Sequence, residues 1–365
     1  MSEFGLRAGR VELGSAGPIA FGPGDILFLA DNATSKVFAV DVADPGPDVG
    51  TEPFDLENVD ALVGSFLGCG PGDVVIRDMA VHPRSGNVYL SVQRGRGEVA
   101  QAVLVRVGRL DGSVTDLSLD DVPFAELALG DAPAENDGRL DVTLPLGDEG
   151  EELQVGDRKI RILRQPIRTS TVTDLAHVNG ELLVAGLSNE EFSSRLRRIP
   201  FPFSEKATGS SLEIFHVSHG KWETAAPIRT FVPYDGGTAI LASYTCTPVV
   251  HFPLADLTHG VKVVGRTIAE LGPVNQPLDM VSFHQDGQEY LLVANSAHGL
   301  VKIAASDIDG QSPLTEPKQP VGVPRETKDL QGIRRLANLG DRHVLVLQAD
   351  DAGGQHLRSL KTDSL

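Results

Sequence analysis

The sequence predicts an all-β fold, a β-propeller with six blades favoured and seven possible. Three observations point there: a strand–turn–strand unit that recurs six times, apolar runs of period two, and 39 glycines with 23 prolines to punctuate many short elements. Radial repetition of small sheets protects strand edges. An internal repeat also accounts for 365 residues in one domain, 1–365, where length alone suggests about two.

Taken in order, the first unit is Pro18-Ile19-Ala20-Phe21, a turn at Gly22-Pro23-Gly24-Asp25, and a strand from Ile26 to Ala30. The second is the clearest: Arg77 to His82, a turn at Pro83-Arg84-Ser85-Gly86, then Asn87 to Val92. The third turns at Asn179-Gly180, a dipeptide that suits a two-residue hairpin loop because both positions take positive φ. A weaker fourth unit starts at Arg229 and runs through Asp235-Gly236-Gly237 to Tyr244. The fifth spans Leu278 to Ala294 around Asp286-Gly287, and the sixth spans Gly332 to Leu347 around Gly340-Asp341.

The units are spaced unevenly, so some carry insertions. Leu56, Val59, Leu62, Val63 and Phe66 recur at helical spacing and predict a short helix near 56–68. Residues 119–168 read as an insertion or a degenerate blade, with strands at Leu140 to Pro145 and Lys159 to Leu163. Arg10 to Leu13 is expected to close the ring beside residues 356–361.

A net charge of −18 and a pI near 4.9 speak against nucleic acid, whose affinity comes from Lys and Arg displacing counterions. No run approaches the roughly 20 apolar residues that span a bilayer. The start at Met1-Ser2-Glu3-Phe4 is compatible with a cytoplasmic protein and with a replaced export leader, so the compartment stays open. Cys69 and Cys246 form no CxxC or zinc spacing and read as two free thiols. The sequence has no P-loop, dinucleotide fingerprint, Gly-x-Ser-x-Gly or HExxH.

Aligning the hairpins places Asp78, Asp174 and Asp279 at one position before their inner strands, with Arg229 there in the fourth unit and Pro18 in the first. Loops after the second strands return to the same channel mouth and add Asn189 and Asn295. Converging carboxylates suit a hard divalent cation such as Ca²⁺, with Asn189 and Asn295 as carbonyl donors. Held close, they also raise one another's pKa, which makes Asp174 and Asp279 candidate general acids or bases, and Arg229 a candidate for an anionic substrate group. The competing reading is that each Asp caps backbone N–H groups at its strand entry.

These hairpins, above all Gly17 to Phe21 with Ile26 to Asp31 and Asp78 to Pro83, resemble the inner strands of the NHL and gluconolactonase-like propellers. The resemblance implies a divalent ion at the channel mouth, held by a glutamate on the first inner strand together with Asn and Asp side chains. This sequence has Ala16-Gly17-Pro18 where that glutamate would stand.

Three further features bear on function. His216 and His219, three apart on an extended strand, would face opposite ways and share no metal. Cys246 and His251 could pair as nucleophile and base or as soft metal ligands, although a Cys in a β run is usually a small buried hydrophobe. Arg195 to Phe203, with prolines at 200 and 202, reads as an edge strand or extended loop that covers a blade edge or docks a partner.

The functional expectation is a propeller that binds a small molecule or a peptide at a polar, acidic channel mouth. The alternatives are a metal-dependent lactone or ester hydrolase or lyase using the mouth carboxylates, and a subunit of a larger enzyme complex.

Overall fold

Six short strands line a central channel in the computed structural model, which describes residues 4–47, 52–146, 149–155, 158–204, 207–318 and 320–365. They are β1 (Ile19–Phe21), β2 (Val74–Val81), β3 (Asp174–Val178), β4 (Thr230–Tyr234), β5 (Pro277–Gln285) and β6 (Ile333–Leu339). Each opens an antiparallel sheet, named here first to sixth in the same order.

The second strand of a sheet is buried on both faces, and this is why its apolar run is continuous. In Ile26–Asp31, Leu27 and Leu29 enter one core while Ile26, Phe28 and Ala30 enter another, as a side-chain period of two requires. Six such cores each lie between two sheets. They place the sheets in a closed ring in the order first, third, fourth, fifth, sixth, second and back to first. This is a β-propeller. The Asn179-Gly180 turn takes the expected positive φ values, 52° and 78°.

Order in space departs from order in sequence at the start of the chain. The fourth strand of the first sheet is Val122–Ala128, paired with Lys36–Asp41, so the whole second sheet is inserted between the third and fourth strands of the first. On the way to the second sheet, Leu56 exchanges backbone hydrogen bonds of 3.0 and 2.9 Å with Leu357 on the last strand of the sixth. Ser359 adds hydrogen bonds to the backbone of Phe54. Helix α1 (Val59–Leu67) follows, with Val59 and Val63 in the core between the second and sixth sheets.

The ring is therefore joined at residues 54–57 and not by Arg10 to Leu13. Arg7–Gly9 pairs instead with Val122 to Phe124, and Val11 is buried between the first and second sheets. Once residues 54–57 cover the edge of 355–361, that edge has no place for another strand.

Within the expected insertion, Val122–Ala128 belongs to the first sheet. Leu140–Thr143, Glu151–Val155 and Arg158–Pro166 form a separate three-stranded sheet that lies as a strap over the channel mouth. The segment from Arg195 to Phe203 differs from expectation. Ser194–Pro200 is a central strand paired on both sides, and Asp131 neutralises the buried Arg195 and Arg197 at 3.1 and 2.7 Å. Pro200 is tolerated because it ends the strand.

Candidate functional site

Beneath the strap the channel opens into a cavity of about 900 Å³, followed along the inner strands by a smaller one of about 280 Å³. Asp78, Asp174 and Asp279 line both and stand at the waist between them. The three aspartates that the hairpin alignment puts at one position thus line one channel.

Each of the three carboxylates performs the same structural task. One oxygen accepts from the next N–H of its own strand: Met79 at 2.9 Å, Leu175 at 2.8 Å and Met280 at 2.8 Å. The other accepts from the neighbouring inner strand: Ile19, Phe231 and Leu336, each at 2.8 Å. The six inner strands are thereby stapled into three pairs, β2 with β1, β3 with β4 and β5 with β6. Burial raises the pKa of all three aspartates. Their mutual repulsion adds to it at Asp174 and Asp279, the latter pushed up to about 7.

Staple geometry also shows where the sequence alignment slipped. The residue before each N–H that donates across to an aspartate is Pro18, Thr230 or Arg335, so Thr230, and not Arg229, is equivalent to the aspartates. A slip of one residue reverses the face. Arg229 points into the strap and grips Asp141 through two hydrogen bonds of 2.8 and 2.7 Å, both side chains being buried. It acts as a strap anchor, and the acid it pairs with is none of the three aspartates.

Bulges at Ile76/Asp78, Pro277/Asp279 and Ile333/Arg335 present Arg77, Leu278 and Arg334 to the cavity. Arg335 stitches β6 to both neighbours, donating to the Arg77 and Leu278 carbonyls at 2.9 and 3.1 Å, with Nε 3.5 Å from Asp78 Oδ1. Arg77 donates to Gln93, and Arg96 to the Gly72 carbonyl. Arg334 is half-buried and has no side-chain hydrogen bond or ion pair among the described residues. The mouth is therefore rich in guanidinium groups as well as carboxylates.

Asn189 and Asn295 do not reach this cavity. Asn189 is exposed on the third sheet, and Asn295 is buried with its amide committed to Asn275 and to the Val293 and Gly299 carbonyls.

A second polar cluster lies farther out, between the third and fourth sheets. The strand Thr208–His216 ends at His216, and the following turn, with Gly220 at φ 64°, folds His219 back so that the two imidazole centroids are 3.9 Å apart. The opposite-face expectation failed because the strand stops between the two histidines; the Gly220 turn is the sequence signal for it.

Glu223, on the returning strand, stands 2.9 Å from His216 Nδ1 and 2.8 Å from His219 Nδ1. Cys246 arrives from the fourth sheet in a left-handed turn, φ 63°. Burial opposes its thiolate, but the adjacent His216 and His219 imidazoles prevail and bring its pKa down to about 6. The neighbouring Cys246 and then the hydrogen bond to Glu223 raise His219 to about 9. Buried Glu270 is pushed up to about 8. His251 belongs elsewhere, edge-on to Tyr234 with centroids 5.9 Å apart.

No family model and no curated protein matches the chain. Among solved structures, similarity extends to the extracellular domain of a proposed one-component system from B. thetaiotaomicron, at 9% identity and TM-score 0.34 over 93% of this chain and 32% of that one. The chain thus spans about a third of that protein's length. It is also similar to the PQQ-bound Aldose Sugar Dehydrogenase of Streptomyces coelicolor, at 12% identity and TM-score 0.34 over 97% of this chain and 96% of that one. The Cps50 (Swd1) β-propeller domain of Myceliophteria thermophila is 12% identical with TM-score 0.38, over 94% and 83%. Likenesses this distant attribute no function to the chain.

Proposed function

We propose that the protein is a binding propeller whose cavity beneath the strap takes a small molecule carrying a carboxylate or phosphate group. One observation carries this reading: Arg334 faces the cavity without a side-chain partner, and burial followed by the neighbouring Arg335 disfavours its charge. An anion opposite it would relieve both effects, because a guanidinium fork binds carboxylate or phosphate through paired hydrogen bonds. Thr143, Thr173, Gln165 and Gln276 line the same cavity as neutral polar groups. The strap covers the mouth, which favours a small ligand over a peptide.

The metal-dependent alternative finds less support. Both oxygens of each aspartate already accept backbone N–H groups, and Asn189 and Asn295 lie outside the cavity. Nor do the three carboxylates form a set of ligand atoms all within 4.8 Å of one another. The complex-subunit alternative rests on the segment 195–203, where Arg195 and Arg197 are buried and the half-buried Arg198 is paired with Glu181.

Calorimetric titration with citrate, gluconate and inorganic phosphate tests the reading. We expect saturable binding of at least one anion, weakened at least about tenfold in Arg334→Ala, a loss of roughly 1.4 kcal/mol. NMR of the bound anion should show it chemically unchanged after hours with the protein. Equal affinities in wild type and variant would refute the assignment of Arg334.

A further inference from the structure

We propose that His216, His219 and Cys246, with Glu270 behind them, form a binding site for a thiolate-seeking divalent metal ion, zinc foremost. Among the described residues they are the one set of three His, Cys, Asp or Glu side chains whose ligand atoms all lie within 4.8 Å of one another. The two histidines come from the third sheet and Cys246 from the fourth, so the meeting of thiol and imidazoles is a product of the fold.

Two independent observations point to a cation site. A carboxylate only accepts hydrogen bonds, so Glu223 takes an Nδ1–H from each histidine and leaves each Nε2 as the nitrogen that can release its proton and bind a metal ion. His216 is 3% exposed and its Nε2 is buried with no hydrogen-bond partner, a state that costs free energy unless something binds there. Glu270 is fully buried, its Oε1 has no partner, and its Oε2 is 4.0 Å from that same His216 Nε2. Arg325 donates to the Glu270 carbonyl, leaving the carboxylate without a hydrogen-bonded cation among the described residues.

The arrangement matches how proteins build sites for soft divalent ions. Two imidazole nitrogens and one thiolate favour zinc or copper over Ca²⁺ or Mg²⁺, and Glu270 can supply a fourth donor. Glu223 is the outer carboxylate that orients both histidines. The Cys246 turn is tied in place by its own N–H donating to the Asn275 carbonyl at 2.8 Å. His219, whose side chain is 46% exposed, leaves the site open to ions from solvent. This site is distinct from the central cavity and does not depend on the ligand proposed there.

The test uses the full-length protein, stripped with chelator and titrated with Zn²⁺ alone, then with Co²⁺ as a spectroscopic probe. We expect one equivalent of Zn²⁺ to bind and a near-ultraviolet thiolate-to-cobalt charge-transfer band to grow to the same stoichiometry. Cys246→Ser should abolish the band, and Glu223→Gln should weaken Zn²⁺ binding by about 10–100-fold. Peptide mapping after alkylation of the wild type avoids any folding defect in the variants: Zn²⁺ should protect Cys246 and leave Cys69 unchanged. Non-saturable Zn²⁺ uptake would overturn the proposal, as would a Cys246 alkylated equally fast with and without Zn²⁺, the behaviour of a nucleophilic thiol served by His219.

Discussion

At the scale of single residues, the aspartate staples are the feature most tightly specified. Each sits where two inner strands begin, and each satisfies two N–H groups that the channel would otherwise leave bare. Asp279→Asn can accept only one of its two N–H bonds, so it should destabilise the fold by about 1–3 kcal/mol in urea melts.

The pH dependence has a definite sign. Asp279 is raised to about 7, and Asp174 well above its ordinary value, so the folded state holds more protons than the unfolded chain once pH passes the unfolded carboxylate value. Stability from these groups is full below about pH 4 and falls as pH rises toward 7. Asp279→Asn, which cannot ionise, should flatten that part of the wild-type curve. An unchanged slope would show that the staples are not the titrating groups. These aspartates were legible because hairpins with good turns align themselves. Arg229 slipped by one because its hairpin has the weakest turn signal, and in a strand one residue is the difference between facing the channel and facing the strap.

At the scale of elements, the strap is held by one buried ion pair. Asp141→Ala leaves the Arg229 charge buried and unpaired, at a cost of about 3–5 kcal/mol in thermal or urea unfolding. A double variant, Asp141→Leu with Arg229→Met, should recover most of the loss. If the single and double variants are equally unstable, packing and not charge anchors the strap.

Ring closure makes a separate prediction. The amides of Leu56 and Leu357 should exchange with deuterium as slowly as those of the second strand His343–Ala349, since they seal the ring. Markedly faster exchange at 56 and 357 would mean that the ring opens there on its own. This closure was not readable in the sequence. Residues 54–57 carry no strand signature of their own and pair with a strand some 300 positions away. The helix at 59–67 was readable because its apolar spacing is local. The metal-like cluster divides the same way: the Gly220 turn was visible, whereas its union with Cys246 and Glu270 required the fold.

At the scale of the whole molecule, an acidic chain of net charge −18 surrounds a cavity lined by Arg77, Arg96, Arg334 and Arg335. That contrast is what a site for an anion needs, because the surrounding acidic groups favour anions only where guanidinium groups are concentrated. Both faces of every second strand are committed to cores between sheets, so the scaffold that positions these arginines is rigid. Function is then left to the strap, the bulged residues and the channel.

The most direct measurement is a crystal structure of the protein with the anion that binds best in titration. The carboxylate or phosphate should lie beneath the strap, with its oxygens about 3 Å from the Arg334 guanidinium. An anion seated outside the cavity, or a cavity holding it at the aspartate waist with Arg334 uninvolved, would contradict this placement.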